Sequence, residues 1–201
     1  MSFLHHMKLR SVILVALLSS TPLGTCIAAS TNQELQKLEE ADQSDRAAGS
    51  NKIDWTIVGK RDAARQARAT EILKAGDVRT ADDYFNAALI FQHGDAVEDT
   101  ELALALATTA TRLDSSKKDA KVLTAQAWDR ILVKRGKPQW YGTQFFKDTS
   151  TGKWEMSPMD PTAVTEAQRE ALGIPTLAET KAHLDALNAK SSNAPVVSPV
   201  L

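Results

Sequence analysis

From Leu35 to Leu132 the apolar residues recur at intervals of three and four rather than alternating, and Gly and Pro are sparse before residue 136, so the pattern predicts a mainly α protein. Leu35, Leu38 and Ala41 open a first helix that runs through Asp42 and Asp45 and stops near Gly49. A second is expected from about Ile57 to Ala75, with Ala64, Ala67 or Arg68, Ile72 and Leu73 on its inner side and Gly76 as its stop. Thr80, three residues before Asp83, starts a third helix with a capping-box pattern. Its buried face is Tyr84, Ala87, Ala88 and Phe91, and it ends at Gly94. A fourth helix, about Asp99 to Leu113, presents Ala103, Leu106, Ala107 and Ala110. A fifth, about Lys118 to Arg135, carries Val122, Leu123, Ala127, Ile131 and Leu132 and ends at Gly136, with Pro138 beyond.

Past residue 136 the pattern changes. Thr143 to Phe146 and Lys153 to Met156, separated by the polar run Asp148 to Gly152, predict one small β-hairpin near the C-terminal third. Asp160-Pro161 reads as a cap with Pro at the first helical position, and Thr176 with Glu179 as a capping box, so two short helices are expected to close the domain. Small residues at facing positions of the third and fourth helices allow close approach, so those two are expected to form a helical hairpin. The segment Ala87 to Ala110 resembles a single Sel1-like or tetratricopeptide-like unit. Such units need about three neighbours to bury their faces, so one copy implies a compact bundle of antiparallel helical hairpins rather than a solenoid.

The first thirty residues change the picture by adding a compartment. A basic start (His5, His6, Lys8, Arg10), an apolar run from Val12 to Leu18 and the exit Ala28-Ala29-Ser30 have the order of a secretory signal peptide. The run is too short to span a bilayer, which takes about 20 residues. The expected division is a signal peptide over 1–29, one helical domain over 30–189 and a disordered Ser-, Pro- and Val-containing tail over 190–201, with the mature protein periplasmic or secreted. Cys26 lies in Leu23-Gly24-Thr25-Cys26, which approximates a bacterial lipidation box. Thr25 departs from the Gly, Ala or Ser such a box wants there, so cleavage after Ala28 or Ala29 is favoured and a lipid anchor on Cys26 is the lesser alternative. Cleavage at that exit removes the only cysteine, and with it disulfides and thiol chemistry.

Of 24 basic residues, Lys8 and Arg10 leave with the signal, so 22 face 25 acidic ones at a formal charge of -3. A surface so nearly balanced does not hold a polyanion by charge alone, so no nucleic-acid partner is expected.

Three polar groups remain as candidate chemistry. Asp42 and Asp45 share a helix face, as do Asp42 and Arg46. Paired carboxylates suit acid–base work or a cation, but a solvated intrahelical ion pair is the favoured interpretation. His93, after Gln92 and before Gly94, has a pKa range suited to a general base. The favoured alternative is a helix-end histidine that satisfies terminal carbonyls and complements the dipole. Without a second His or Cys nearby, no metal site is expected. Asp129-Arg130 lies in an otherwise apolar helix, so at most one of the two projects straight into the core. Arg130 needs a carboxylate or several carbonyls. Clamping the Gln139-Trp140-Tyr141-Gly142-Thr143-Gln144 loop is favoured over holding an anionic ligand bidentately. Gln139, Tyr141, Thr143 and Gln144 offer amides and hydroxyls without a strong nucleophile, and Gly142 permits close backbone approach. That set binds better than it catalyses. No Ser-His-Asp order, phosphate loop, HExxH or CxxC pattern is present, and no cofactor is expected.

Together, Asp54-Trp55, Thr80 to Tyr84, Ala87 to Gly94, Asp129-Arg130 and Gln139 through Phe145 resemble a family of bacterial proteins catalogued as a domain of unknown function, family 6624, over about Asp42 to Gly173. The resemblance implies motif positions at Gln92, His93, Asp129, Arg130, Gln139, Gly142, Thr143, Gln144 and Arg169, and no known activity. The Trp-Pro element of many members is missing before Gln92, which places the chain in a divergent branch. The leading expectation is an exported binding or protein-interaction module of the cell envelope, its partner an unknown protein or small polar ligand. The rival is a hydrolase-like enzyme using His93 as base, with Arg130 and Gln144 orienting the substrate.

Overall fold

The computed structural model describes residues 29–47 and 52–192. The expected signal peptide, Ala29 apart, and residues 193–201 of the expected tail lie outside the described residues. The chain is mainly helical, with its helices packed together and one small antiparallel sheet in the C-terminal part.

Local chemistry sets the helix starts. Asn32 caps α1 (Gln33–Arg46), accepting from the Leu35 amide, and Asp54 caps α2 (Trp55–Lys74), accepting from Thr56 and Ile57, two residues ahead of the expected start. Thr80 and Asp83 form the predicted capping box of α3 (Ala81–Gln92). Fully buried Asp83 also accepts from the Asn32 amide at 2.6 Å and the Arg79 amide at 3.0 Å, so one carboxylate ties the entry of α1 to that of α3. Burial pushes that carboxyl up, and the amides of Arg79, Asn32 and Thr80 outweigh it and hold it below the usual range.

Helix α4 (Val97–Leu113) packs against α3 on one side and against α5 (Lys118–Lys134) on the other, while α1 lies against both α2 and α3. The α3–α4 contact is made by small residues: Ala87, Ala88, Ala103 and Ala107 are all fully buried, as the pattern predicted. Leu35, Ile72, Ile90, Phe91, Leu106 and Leu123 fill the rest of this core. Strands β1 (Phe145–Lys147) and β2 (Trp154–Met156) pair as Phe145 with Met156 and Lys147 with Trp154. The Asn188 side chain of α7 (Leu177–Ser192) bonds both the amide and the carbonyl of Trp154 and holds the hairpin to that helix.

Three expectations are corrected. The inner face of α2 is Val58, Asp62, Arg65, Ala69 and Ile72, whereas Ala64, Ala67 and Arg68 are exposed. Hydrophobicity alone turns the alanines inward, but Asp62 and Arg65 find charged partners on α1, and that face wins. No helix starts at Asp160-Pro161. The Asp160 carboxylate accepts from the amide and hydroxyl of Thr162, closing a turn, and α6 (Glu166–Ala171) begins instead at Thr165, boxed by Gln168. Helix α7 is not short, and it continues through Ser192, into the segment expected to be disordered.

Candidate functional site

Asp129 is the hub of the Gln139 to Gln144 segment. It is 0% exposed, and its carboxylate accepts from the amides of Trp140 (2.8 Å), Tyr141 (2.9 Å) and Thr143 (3.0 Å) and from the Thr143 hydroxyl (2.8 Å). The loop therefore closes like a cap over one buried anion. Gly142 turns the chain there at φ +67°, which an L side chain rarely adopts. Fully buried Gln139 holds the far end: its Nε2 donates to the carbonyls of Gln144 and Ser157, and its Oε1 accepts from the Gln144 amide. Arg169, 1% exposed, donates to the carbonyls of Tyr141 and Pro175. Burial and the nearby Asp129 charge push the Tyr141 hydroxyl up, keeping it protonated near neutral pH. Asp129, Gln139, Gly142, Thr143 and Arg169 are thus spent on one another.

Of the other candidates, Arg46, Gln92, His93 and Arg130 come together. A cleft of about 740 Å³ is walled by Arg46, Trp55, Gln92, His93, Arg130 and Lys134, among others. Its α1 wall is a charge network. Asp42, 1% exposed, lies 2.9 Å from Arg46 Nη1, which also reaches the Asp62 carboxylate, and Arg65 bridges Asp62 to Asp45. The expected solvated pair is therefore a mostly buried cluster spanning two helices. His93 caps α3, but its ring is not turned to the helix-end carbonyls. Nδ1 lies 2.9 Å from Asp42 Oδ2, and Nε2 has no partner among the described residues.

Hydrogen bonds from Arg65, with Arg61 adding to them, hold the Asp45 carboxyl below its usual range. At Asp62 burial pushes the other way and is outweighed by Arg46 and Arg65. A carboxyl depressed in the fold contributes stability that is present above its unfolded value, about 3.9, and is lost as pH falls through the lower folded value. The urea midpoint should accordingly begin to fall as pH drops toward about 4 and keep falling below it. A midpoint that is flat from pH 5 to 3 would contradict the network.

Arg130 is half-buried and carries no ion pair among the described residues. Its Nε donates to Gln144 Oε1 (3.1 Å) and its Nη1 to the Gln92 carbonyl (2.6 Å), while Nη2 has no partner among them. Burial first, then the like charge of Arg46, pulls its pKa down, although a guanidinium stays charged regardless. Lys134 is different. Its Nζ is surrounded by the carbonyls of Gly94, Asp95 and Ala96 and by the Thr100 hydroxyl, so it fastens the α3–α4 connection instead of facing a ligand.

Gln144 stands behind Arg130, bonding Gln126 and Thr143 as well, so His93 and Arg130 share the cleft and Gln144 supports it from outside. A second cavity of about 720 Å³, mostly apolar, is lined by Gly142 and Thr143 with Val122, Ile174, Pro175 and His183. No group of three or more His, Cys, Asp or Glu among the described residues is arranged to hold a metal ion. Comparison with family models, curated proteins and solved structures gives no match. The sequence raised Trp55 only through the family resemblance and did not single out Asp62, Arg65 or Lys134. The available signal was the spacing Val58, Asp62, Arg65, Ala69, which puts an acid and a base on the face that carries the core.

Proposed function

We propose that this protein is an exported binding module whose cleft between α1, α2, α3 and α5 takes a small anionic ligand on Arg130. The observation that carries this is a half-buried guanidinium without a carboxylate, beside Arg46, with donors left over. Arg46 is already neutralised by Asp42 and Asp62, so the cation left for a ligand is Arg130, and a guanidinium suits bidentate recognition of carboxylate or phosphate. Export is supported by the leader pattern, and no helix among the described residues is long and apolar enough to cross a membrane. Resemblance to family 6624, or to a tetratricopeptide-like unit, brings no activity with it, so the function rests on the cleft.

A hydrolase is the second reading, favoured by the contact of His93 with Asp42, which fixes the ring and leaves Nε2 free to take a proton. Gln144 has no part in it, since its amide is engaged behind Arg130.

One titration tests both. Trp55 lines the cleft, so its fluorescence should report binding of acetate, N-acetylated amino acids, short peptides and phosphate monoesters. Arg130→Gln should weaken the best of them at least tenfold, about 1.4 kcal/mol. Its folding stability should stay within about 1 kcal/mol, because the two lost hydrogen bonds are offset by release of an unpaired charge. Unchanged affinity in the variant would end the anion reading. Cleavage products that appear with the wild type and vanish in His93→Ala, with binding retained, would establish the enzyme.

A further inference from the structure

Gln92 shares the cleft with Arg130, and its side chain has no bonding partner among the described residues. The residue is 7% exposed, its Oε1 is buried without a partner, and its side-chain amide makes no hydrogen bond among the described residues. Among the described residues, two other buried side-chain polar atoms lack partners, Arg65 Nε and Trp128 Nε1. Arg65 Nε lies inside the ion network, 3.7 Å from Asp42 Oδ1, and Trp128 packs against the Trp140 ring, so neither belongs to the cleft lining. An unpaired buried amide costs stability, and proteins keep such groups where a ligand completes them.

We propose that the ligand is an N-acylated amino acid carboxylate, free or as the last residue of a peptide, and that Gln92 recognises the N–H beside that carboxylate. This rests on the anion site assigned to Arg130. A primary amide presents one N–H and one carbonyl side by side. Its complement is the N–H and an oxygen of a single extended residue. In a terminal residue that oxygen belongs to the carboxylate, whose second oxygen is left for Arg130. The two recognition groups are already joined, because Arg130 Nη1 donates to the Gln92 carbonyl at 2.6 Å. Rotation about the terminal side-chain bonds brings the Gln92 amide to the ligand and breaks no hydrogen bond, since the amide has none. In the unliganded arrangement Oε1 is turned away from solvent, so it is this rotation that presents it to the ligand. A fully ionised phosphate or sulfate would satisfy Arg130 but offers Gln92 Oε1 no donor. Trp55, 55% exposed, and Ile53 supply an apolar wall for the residue's side chain, and about 740 Å³ is far more room than acetate needs.

The test is calorimetric titration of the mature chain with N-acetyl-L-leucine, with the ester isostere in which oxygen replaces the N–H, with N-acetyl-L-leucinamide, and with a tripeptide ending in leucine. The wild type should bind the N-acetyl acid at least tenfold tighter than the ester isostere and should not bind the carboxamide measurably. Gln92→Leu should bind acid and ester alike, at the wild type's ester affinity. Gln92→Glu keeps the shape of the side chain and places a carboxylate beside Arg130, so it should lose every carboxylate ligand while folding normally. A tripeptide tighter than the free acid would support the inference and name a peptide terminus as the source; equal affinity would support it for free acylamino acids. Equal binding of acid and ester by the wild type would overturn the role of Gln92 and leave the Arg130 site standing. Failure of all carboxylates would remove the Arg130 site and this inference together.

Discussion

Asp129→Ala should destabilise the protein by about 4 kcal/mol, the largest loss expected from any single change in the C-terminal half. The reason is arithmetic in donors. One fully buried carboxylate satisfies three backbone amides and a hydroxyl, and its removal leaves the amides of Trp140, Tyr141 and Thr143 without this acceptor in a partly buried loop. Each unpaired buried donor costs about 1–3 kcal/mol, and partial opening of the loop to water recovers some of the sum. Asp129→Asn should be milder, at about 2–3 kcal/mol, because an amide keeps one acceptor but turns an NH₂ toward the remaining donors. Urea unfolding checks both. A loss below about 1 kcal/mol for Asp129→Ala would mean the loop is not held by this anion.

Arg65→Met is the second large effect, an expected loss of about 3 kcal/mol. Arg65 is buried between α1 and α2, donating to Asp45 and Asp62 with Asp42 nearby, and its removal leaves Asp42 and Asp62 to share Arg46. Breaking one partner of a buried cluster strands charge in a poor solvent, whereas replacing the pair by apolar groups is often neutral. The double change Arg65→Met with Asp62→Leu should therefore cost less than the single one, a non-additivity readable by unfolding. Equal or greater loss in the double variant would show that Arg65 matters through packing rather than charge. The same cluster carries Asp42, which positions His93 and Arg46 on the cleft, so its loss should also blunt ligand binding.

The helices were legible because their signals are local. Thr80 with Asp83 and the alanines 87, 88, 103 and 107 fix element type, cap and buried face without reference to anything distant. The inner face of α2 was not legible, since whether Asp62 and Arg65 turn inward depends on Asp42, Asp45 and Arg46 on another helix. Asp160-Pro161 carries the residues of a cap, but a carboxylate bonding Thr162 makes a turn just as well, and only Thr165 has the reciprocal Gln168. At the site, the polar composition of Gln139 to Gln144 announced a hydrogen-bonded loop. It could not announce that Asp129 consumes that loop's donors, or that Arg130, one residue on, is the cation left over on the far side. Neighbours on a helix point about 100° apart, and that angle separates a structural residue from a candidate binding one.

The most direct measurement follows the Arg130 Nε–H resonance in ¹⁵N-labelled protein as N-acetyl-L-leucine is added. The expected result is a saturable shift of Arg130 Nε–H, accompanied by the Gln92 side-chain amide, while the buried Arg169 Nε–H stays in place. Saturable shifts confined to residues of the apolar cavity around Val122 and Ile174, with Arg130 unmoved, would contradict it.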